Sequence, residues 1–399
     1  MNNNALLDGV RVIDLSRVLA GPFCTMILGD LGADIIKIER PELGDDTRHW
    51  GPPFAEGGES AYFICTNRNK RSITLNLRSE EGLQLLKSLI QTGDVLVENF
   101  RTGTLERWGL DYDSLQKIRP GLIYCSITGY GHSGPYRDRA GYDILAQSLG
   151  GFMSVTGPAD GEPHRAGVAI ADLAAGMFAA QAILAALYRH AKDGSGQCID
   201  MALLDSQIAL MTYIASNYLI SNQVPQRLGN AHPNIVPYEV FKARDGYFTF
   251  GAGNDGQWKN FCEHIGHPEW ASDERFATNP QRVSNRKELI QILKELFLER
   301  DMEEWLSLCE KIGLPAAPIH SMDQVFNDPQ TIARDMRVEV QHPTAGTISL
   351  VGSPHKIPTA PPSFRYPPPL LGQHTEEILH ELLGYEQETI NALRKNGVV

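Results

Sequence analysis

A chain of 399 residues is long enough for two hydrophobic cores rather than one. With 36 Lys and Arg against 48 Asp and Glu, a formal net charge of −12, it is a poor partner for nucleic acid or an anionic membrane. A composition of 42% hydrophobic and 21% charged residues is that of a globular protein.

The chain starts "MNNNALLDGV", without a basic n-region or a long apolar run, and no later stretch approaches the ~18 unbroken apolar residues of a membrane span. Cys24, Cys65, Cys125, Cys198, Cys262 and Cys309 stand far apart with no CxxC pair. The expectation is therefore a cytoplasmic protein in a reducing compartment, with no bound metal and no membrane partner.

"VRVIDLS", "GPFCTMILGDLGA" and "DIIKIER" read as strand, helix and strand, the βαβ unit of a parallel sheet. The pattern repeats in the strand "RSITLNL", the amphipathic "SEEGLQLLKSLIQTG" and the strand "DVLVENF". "GLIYCSITGYG" adds a further apolar strand that ends in a glycine-rich loop. After Asp172 comes "LAAGMFAAQAILAALYRH", with Leu173, Met177, Ile183, Leu184 and Leu187 at helical spacing. "GQCIDMALLDSQIALMTYIA" reads as a strand leading into a helix.

Composition changes over 221–237, "SNQVPQRLGNAHPNIVP", which reads as a linker. Beyond it, "GYFTFG", "GQWKNFCEHIG", "RKELIQILKELFLE" and "MEEWLSLCEKIG" predict a smaller α+β unit. "MRVEVQHPTAGTISLVG" predicts a strand pair around a turn. The proline-rich "PTAPPSFRYPPPLLGQHT" is expected on the surface. Domain limits are placed at 1–220 and 238–335, with 336–399 returning to the first domain.

Three motifs tempt without persuading. "GAGNDG", residues 251–256, is a literal GxGxxG, but "HPEWASDERFAT", where a dinucleotide site needs an acidic residue at the end of a second strand ~20 residues on, is loop-like and supplies no such strand. "EHIGH" has no third metal ligand, and Ser133 in "GYGHSGPY" lacks the spacing of a nucleophile elbow.

Seven segments taken together resemble the family III CoA-transferases. They are "GVRVIDLSRVLAGP", "LGADIIKIERPELGDDTRHWGPPF", "NRNKRSITLNL", "DVLVENFRTGTLERWGL", "GYDILAQSLGG", "GVAIADLAAG" and "PPPLLGQHT", in family order along the whole chain. "GDDTRHWGPPF", "YCSITGYG" and "AHPNIVPY" resemble most the branch acting on succinate and hydroxymethylglutarate. The resemblance implies an α/β fold. Its large Rossmann-like domain is built from the N-terminal half and the C-terminal tail, a smaller α+β domain is inserted, and two chains interlock as a homodimer. It implies coenzyme A thioester as substrate, with no permanently bound cofactor, and a short dicarboxylic acid of the glutarate or hydroxymethylglutarate type as acceptor.

Residue by residue, the resemblance makes Asp172 a covalent nucleophile. On preference alone, an aspartate at a helix start is an N-cap, and the two readings are compatible. Tyr142 stands where racemases of the fold carry a histidine base. With a phenol pKa near ~10 it suits hydrogen bonding to the thioester better than proton abstraction, so α-methylacyl-CoA racemase is the second reading and a noncatalytic acyl-CoA-binding relative the third. Arg40, Asn99, Phe100, Arg107 and the backbone at Val18 and Ala20 match the coenzyme A channel. Lys70 and Arg71 are added as phosphate-binding cations. Trp50 matches an aromatic over the substrate. Formyl-CoA transferases have a glycine run where this chain has "RLGNAHPNIVP" with only Gly229. His232, with Arg227, is the candidate reader of the acceptor's distal carboxylate.

Overall fold

The computed structural model describes residues 5–399 and divides into two compact units. The first comprises 1–152, 166–216 and 329–399, and the second comprises 153–165 and 217–328. The short excursion 153–165 into the second unit has no compositional signal, and the chain returns at Pro329, earlier than the composition suggests.

Six parallel strands form the first unit's sheet: β1 (Arg11–Asp14), β2 (Asp34–Glu39), β3 (Lys70–Thr74), β4 (Val95–Glu98), β5 (Ile123–Thr128) and β6 (Gln197–Ala202). Their order is β3-β2-β1-β4-β5-β6, with Val12 of β1 paired to both Ile35 and Val95. This is the doubly wound Rossmann order, in which successive crossovers leave β1 in opposite directions. The expected α/β fold class is therefore present.

Five helices are needed to describe the site: α1 (Ala20–Asp30), α2 (Glu80–Gln91), α3 (Asp143–Leu149), α4 (Ile170–Asp193) and α5 (Leu203–Leu210). On one sheet face, α1 and α4 bury Cys24, Leu28, Ala171, Ala175, Ala179 and Ile183 against Val12, Val97 and Cys125. The small residues of "GVAIADLAAG" allow α4 to lie close to α1. A Cβ added at Gly176 would sit 2.6 Å from the Ala20 carbonyl oxygen. By length and composition α4 could cross a membrane, but here this face is core.

The second unit pairs β7 (Tyr238–Lys242), β8 (Tyr247–Gly251) and β9 (Ala316–Pro318) as an antiparallel sheet. Helices α6 (Asp255–His264), α7 (Arg286–Phe297) and α8 (Met302–Lys311) cover a separate core around Trp258, Phe261, Phe297 and Trp305. GAGNDG joins β8 to α6 in that antiparallel setting, with the Asn254 side chain capping the helix. It is a structural turn.

Back in the first unit, β10 (Arg337–His342) and β11 (Gly346–Val351) form the expected hairpin. The chain then ends in α9 (Thr375–Leu383) and α10 (Gln387–Lys395). Ile378, Leu379, Ile390 and Leu393 pack with Leu85, Leu86 and Leu89 of α2 on the sheet's other face. The C-terminal tail thus completes the layer begun by the N-terminal half.

Candidate active site

In a doubly wound sheet the ligand crevice lies beyond the strand C-termini where the winding reverses, here between β1 and β4. A cavity of about 710 Å³ opens there. Its walls are the segments that follow the strands: Arg17, Val18, Leu19 and Ala20 after β1, Asp46, His49 and Trp50 after β2, Asn99 to Thr102 after β4, and Gly129 with 139–143 after β5. Asp172 closes it from the first turn of α4.

Asn99 joins the two sides of the crevice. Its Oδ1 accepts from the Arg17 N–H at 2.8 Å and its Nδ2 donates to the Arg17 carbonyl at 2.6 Å. Beneath the opposite wall, Gly129 and Gly141 touch backbone to backbone. A Cβ on Gly129 would lie 2.4 Å from the Gly141 Cα, so both positions need glycine. That contact sets the approach of Tyr142 and Asp143.

Asp172 does not cap its helix. The N-cap of α4 is Ala169, without a side-chain cap bond, and Asp172 is the third helical residue. The capping task falls to Asp143, whose Oδ1 accepts from the N–H groups of Ala171 at 2.9 Å and Asp172 at 3.4 Å. Asp143 Oδ2 accepts from Gln147 Nε2 at 2.6 Å, and Gln147 Oε1 accepts from the Ala166 N–H. Capping by Asp143 alters the electrostatics expected at a helix N-terminus, which would favour an ionised Asp172. Burial, followed by the negative charge of Asp143, pushes the Asp172 carboxyl up to about 7. No cation forms a salt bridge with Asp172 among the described residues. The side chain is half-buried and opens on the cavity.

Of the residues singled out from sequence, Val18, Ala20, Trp50, Asn99, Phe100, Tyr142 and Asp172 line this one cavity. Tyr142 is 67% exposed and Trp50 is 44% exposed, its ring edge-on to Tyr62. Arg40 and Arg107 do not line it. Arg40 holds Asp46, which does, at 2.8 Å, while exposed Arg107 donates to Thr104 Oγ1.

Lys70 and Arg71 require correction. Lys70 is fully buried, donating to Asp14 Oδ2 at 3.1 Å and to the Pro22 carbonyl. Arg71 is held by Asp34, Glu377 and Glu381. A phosphate would have to displace these carboxylates, so both are structural cations. Gly229 and His232 lie in the second unit and line no part of this cavity. His232 Nδ1 accepts from the Asn234 N–H, its ring packs on Tyr238, and burial and then Arg286 lower its pKa. A neutral imidazole is a weak reader of carboxylate. Arg227 donates to the carbonyls of Pro158 and Gly161.

Sequence reasoning missed Arg17, Arg101 and Arg139, the cavity's own arginines, and also Asp143. Asp143 carried a usable signal, an aspartate opening "DILAQ" with a glutamine four residues on. The arginines stand next to or within the quoted motifs, but nothing in their spacing distinguishes them from solvated charges.

Residues 7–375 match the family model described as CoA-transferase family III. A succinyl-CoA:glutarate CoA-transferase of Homo sapiens is 49% identical over 100% of this chain and 91% of its own length. A succinate–glutarate CoA-transferase of Agrobacterium fabrum is 47% identical over 96% of each chain. Among solved structures, a CaiB/BaiF family protein from Brucella suis superposes with a TM-score of 0.84 at 46% identity, covering 95% of this chain and all of its own.

Proposed function

This chain belongs to CoA-transferase family III, and on that premise we propose that it moves coenzyme A from succinyl-CoA to glutarate with Asp172 as the covalent nucleophile. The acid pair is suggested by the names of full-length relatives at 47–49% identity. The nucleophile is supported by one observation above all. Asp172 is a half-buried carboxylate at the sheet's switch point, pushed up to about 7 and, among the described residues, without a salt-bridging cation. A carboxylate of raised pKa is the more basic and more reactive nucleophile, and near neutral pH a useful fraction is ionised.

The reaction balances in four steps. An Asp172 oxygen attacks the succinyl carbonyl, the C–S bond breaks, and CoA leaves as thiolate with a succinyl–aspartyl anhydride behind it. The thiolate attacks the aspartyl carbonyl and expels succinate, giving an aspartyl–CoA thioester. A glutarate carboxylate then attacks that thioester to form a glutaryl–aspartyl anhydride and free thiolate. Attack of the thiolate on the glutaryl carbonyl releases glutaryl-CoA and restores Asp172. Each tetrahedral stage needs donors to its oxyanion, and Gly129, Gly141 and Tyr142 line the cavity where they are needed.

Incubation with succinyl-CoA followed by mass analysis of the Asp172 peptide tests this reading. A CoA- or succinyl-mass adduct on Asp172 is expected, with no adduct in Asp172→Asn and turnover lower by roughly 10⁴-fold or more. Turnover retained in that variant overturns the assignment. Exchange of an α-proton of a branched acyl-CoA without any transfer would favour the racemase instead.

A further inference from the structure

The turn from β1 into α1 is where a dinucleotide-binding Rossmann domain carries its glycine-rich phosphate loop. This chain has "LSRVLAG" there. The backbone nevertheless takes a conformation that glycine would take more readily, since Val18 has φ +70°, the left-handed region that a β-branched residue disfavours. Something must hold it.

Two fully buried side chains do. Lys37, from β2, donates from Nζ to the Ser16 carbonyl at 3.0 Å and to Asp45 Oδ2 at 2.9 Å. Asp45 accepts from the Val18 N–H with both oxygens, at 3.2 and 3.3 Å. Asp45 Oδ1 also accepts from the Thr47 N–H and hydroxyl, and the Asp45 N–H donates to Glu39. The pair therefore ties the segment after β1, with Arg17, Val18, Leu19 and Ala20, to the segment after β2, with Asp46, His49 and Trp50. Both segments are walls of the same cavity, yet neither Lys37 nor Asp45 lines it.

We propose that Lys37 and Asp45 are positioning residues for coenzyme A, a buried ion pair that holds the β1–α1 turn in a ligand-binding shape without a glycine-rich sequence. The proposal rests on the reading of the cavity as the CoA site. A buried pair of this kind contributes less to net stability than its geometry suggests, because both charges are desolvated. Its effect here is to fix one conformation of a turn whose own preference lies elsewhere.

The test uses the full chain and free CoA, with affinity measured by calorimetry beside KM and kcat for transfer. Lys37→Met removes the donor to Ser16 and leaves Asp45 without its cation. CoA affinity is expected to fall about tenfold, the loss of one hydrogen bond to a charged group. The KM for succinyl-CoA should rise in parallel while kcat at saturation changes less than twofold. Lys37→Gln, which keeps an N–H donor on a side chain one bond shorter and loses the charge, carries the same expectation at smaller size if Lys37→Met yields no folded protein. Val18→Gly placed on top of either should recover part of the lost affinity, because glycine adopts the required φ unaided. A loss of stability alone would not produce that recovery.

As a control, Arg68→Met breaks an equally buried pair with Asp30, away from the cavity. It should lower thermal stability and leave CoA affinity unchanged. Wild-type affinity in folded Lys37 variants, an equal loss in Arg68→Met, or no recovery with Val18→Gly each overturns the proposal. Failure of the wild-type protein to bind CoA or to transfer it would sink the functional reading instead.

Discussion

Around the N-terminus of α4, Asp172 and Asp143 approach each other with backbone amides and a glutamine for company and, among the described residues, no salt-bridging cation for Asp172. Around the ends of β1 and β2, Asp14, Asp45 and Glu39 each meet a lysine or arginine, at 3.1, 2.9 and 2.7 Å respectively. Burial alone would push all of these carboxyls up. In the β1–β2 region Lys70, Lys37 and Arg48 outweigh it and hold the acids below their ordinary range. In the α4 region burial and a second negative charge act together, and Asp172 rises to about 7. One residue type thus occupies opposite electrostatic states within one unit. The carboxylates that shape the chain are neutralised, and the one proposed to react is not.

That contrast breaks most visibly at Lys70. Lys70→Met leaves Asp14 buried beside Ser16 and Thr25 without its cation. The expected cost is about 3–5 kcal/mol, a fall in Tm on the order of 10 °C by calorimetry. Where folded protein survives, the pH dependence of transfer should match wild type, because the Asp172 surroundings are untouched. A shifted pH profile in Lys70→Met would show that the two regions are electrostatically one.

A change at Asp143 sharpens the same contrast from the other side. If Asp172 reacts as carboxylate, kcat/KM should rise with pH through about 7, the range in which Asp172 loses its proton. Asp143→Asn keeps an oxygen for the Ala171 amide while removing the like charge. The Asp172 pKa then falls, so the acid limb should move about one unit toward lower pH. Near pH 8, where Asp172 is ionised in both proteins, kcat should drop severalfold because the nucleophile is less basic. An unmoved acid limb would mean that burial alone sets the protonation of Asp172.

The sequence made the parallel-sheet architecture legible because apolar strands alternate with helical segments, and segments that directly follow strands fall at the crevice. Val18, Ala20, Asn99, Phe100 and Tyr142 were singled out by the family resemblance, and each lies in such a segment lining the cavity. Lys70 and Arg71 were misread because cations at the start of a strand look free to hold a phosphate. They belong to β3, and the matching signal was the presence of Asp14, Lys37 and Glu39 inside otherwise apolar strands. A charge in a buried strand needs an opposite charge in another strand, but sequence does not say which. The return of 336–399 to the large domain was expected, but the two helices of that tail were not read, for a different reason. The prolines before it drew attention from "TEEILHELL" and "QETINALRK", whose apolar residues repeat at helical spacing.

The smallest expected effect concerns how the acceptor's far carboxylate is recognised. His232 was the candidate by sequence, but its lowered pKa keeps it neutral and its Nδ1 is engaged by the backbone. The cavity itself supplies Arg17, Arg101 and Arg139. Arg17 is paired with Asp46 and lies over the Phe100 ring, and Arg101 donates to the Asp138 carbonyl. Arg139 instead rests its guanidinium 3.8 Å from the Tyr136 ring centroid, three residues before Tyr142, with no salt bridge among the described residues. Arg139→Ala should therefore raise the KM for glutarate about fivefold, an exposed guanidinium's share of a charged hydrogen bond, and leave the KM for succinyl-CoA within twofold. His232→Ala should change neither. Should Arg139→Ala weaken succinyl-CoA instead, the arginine serves the CoA phosphates. Should His232→Ala alone weaken glutarate, the acceptor is read by His232, and a neutral imidazole suffices to do it.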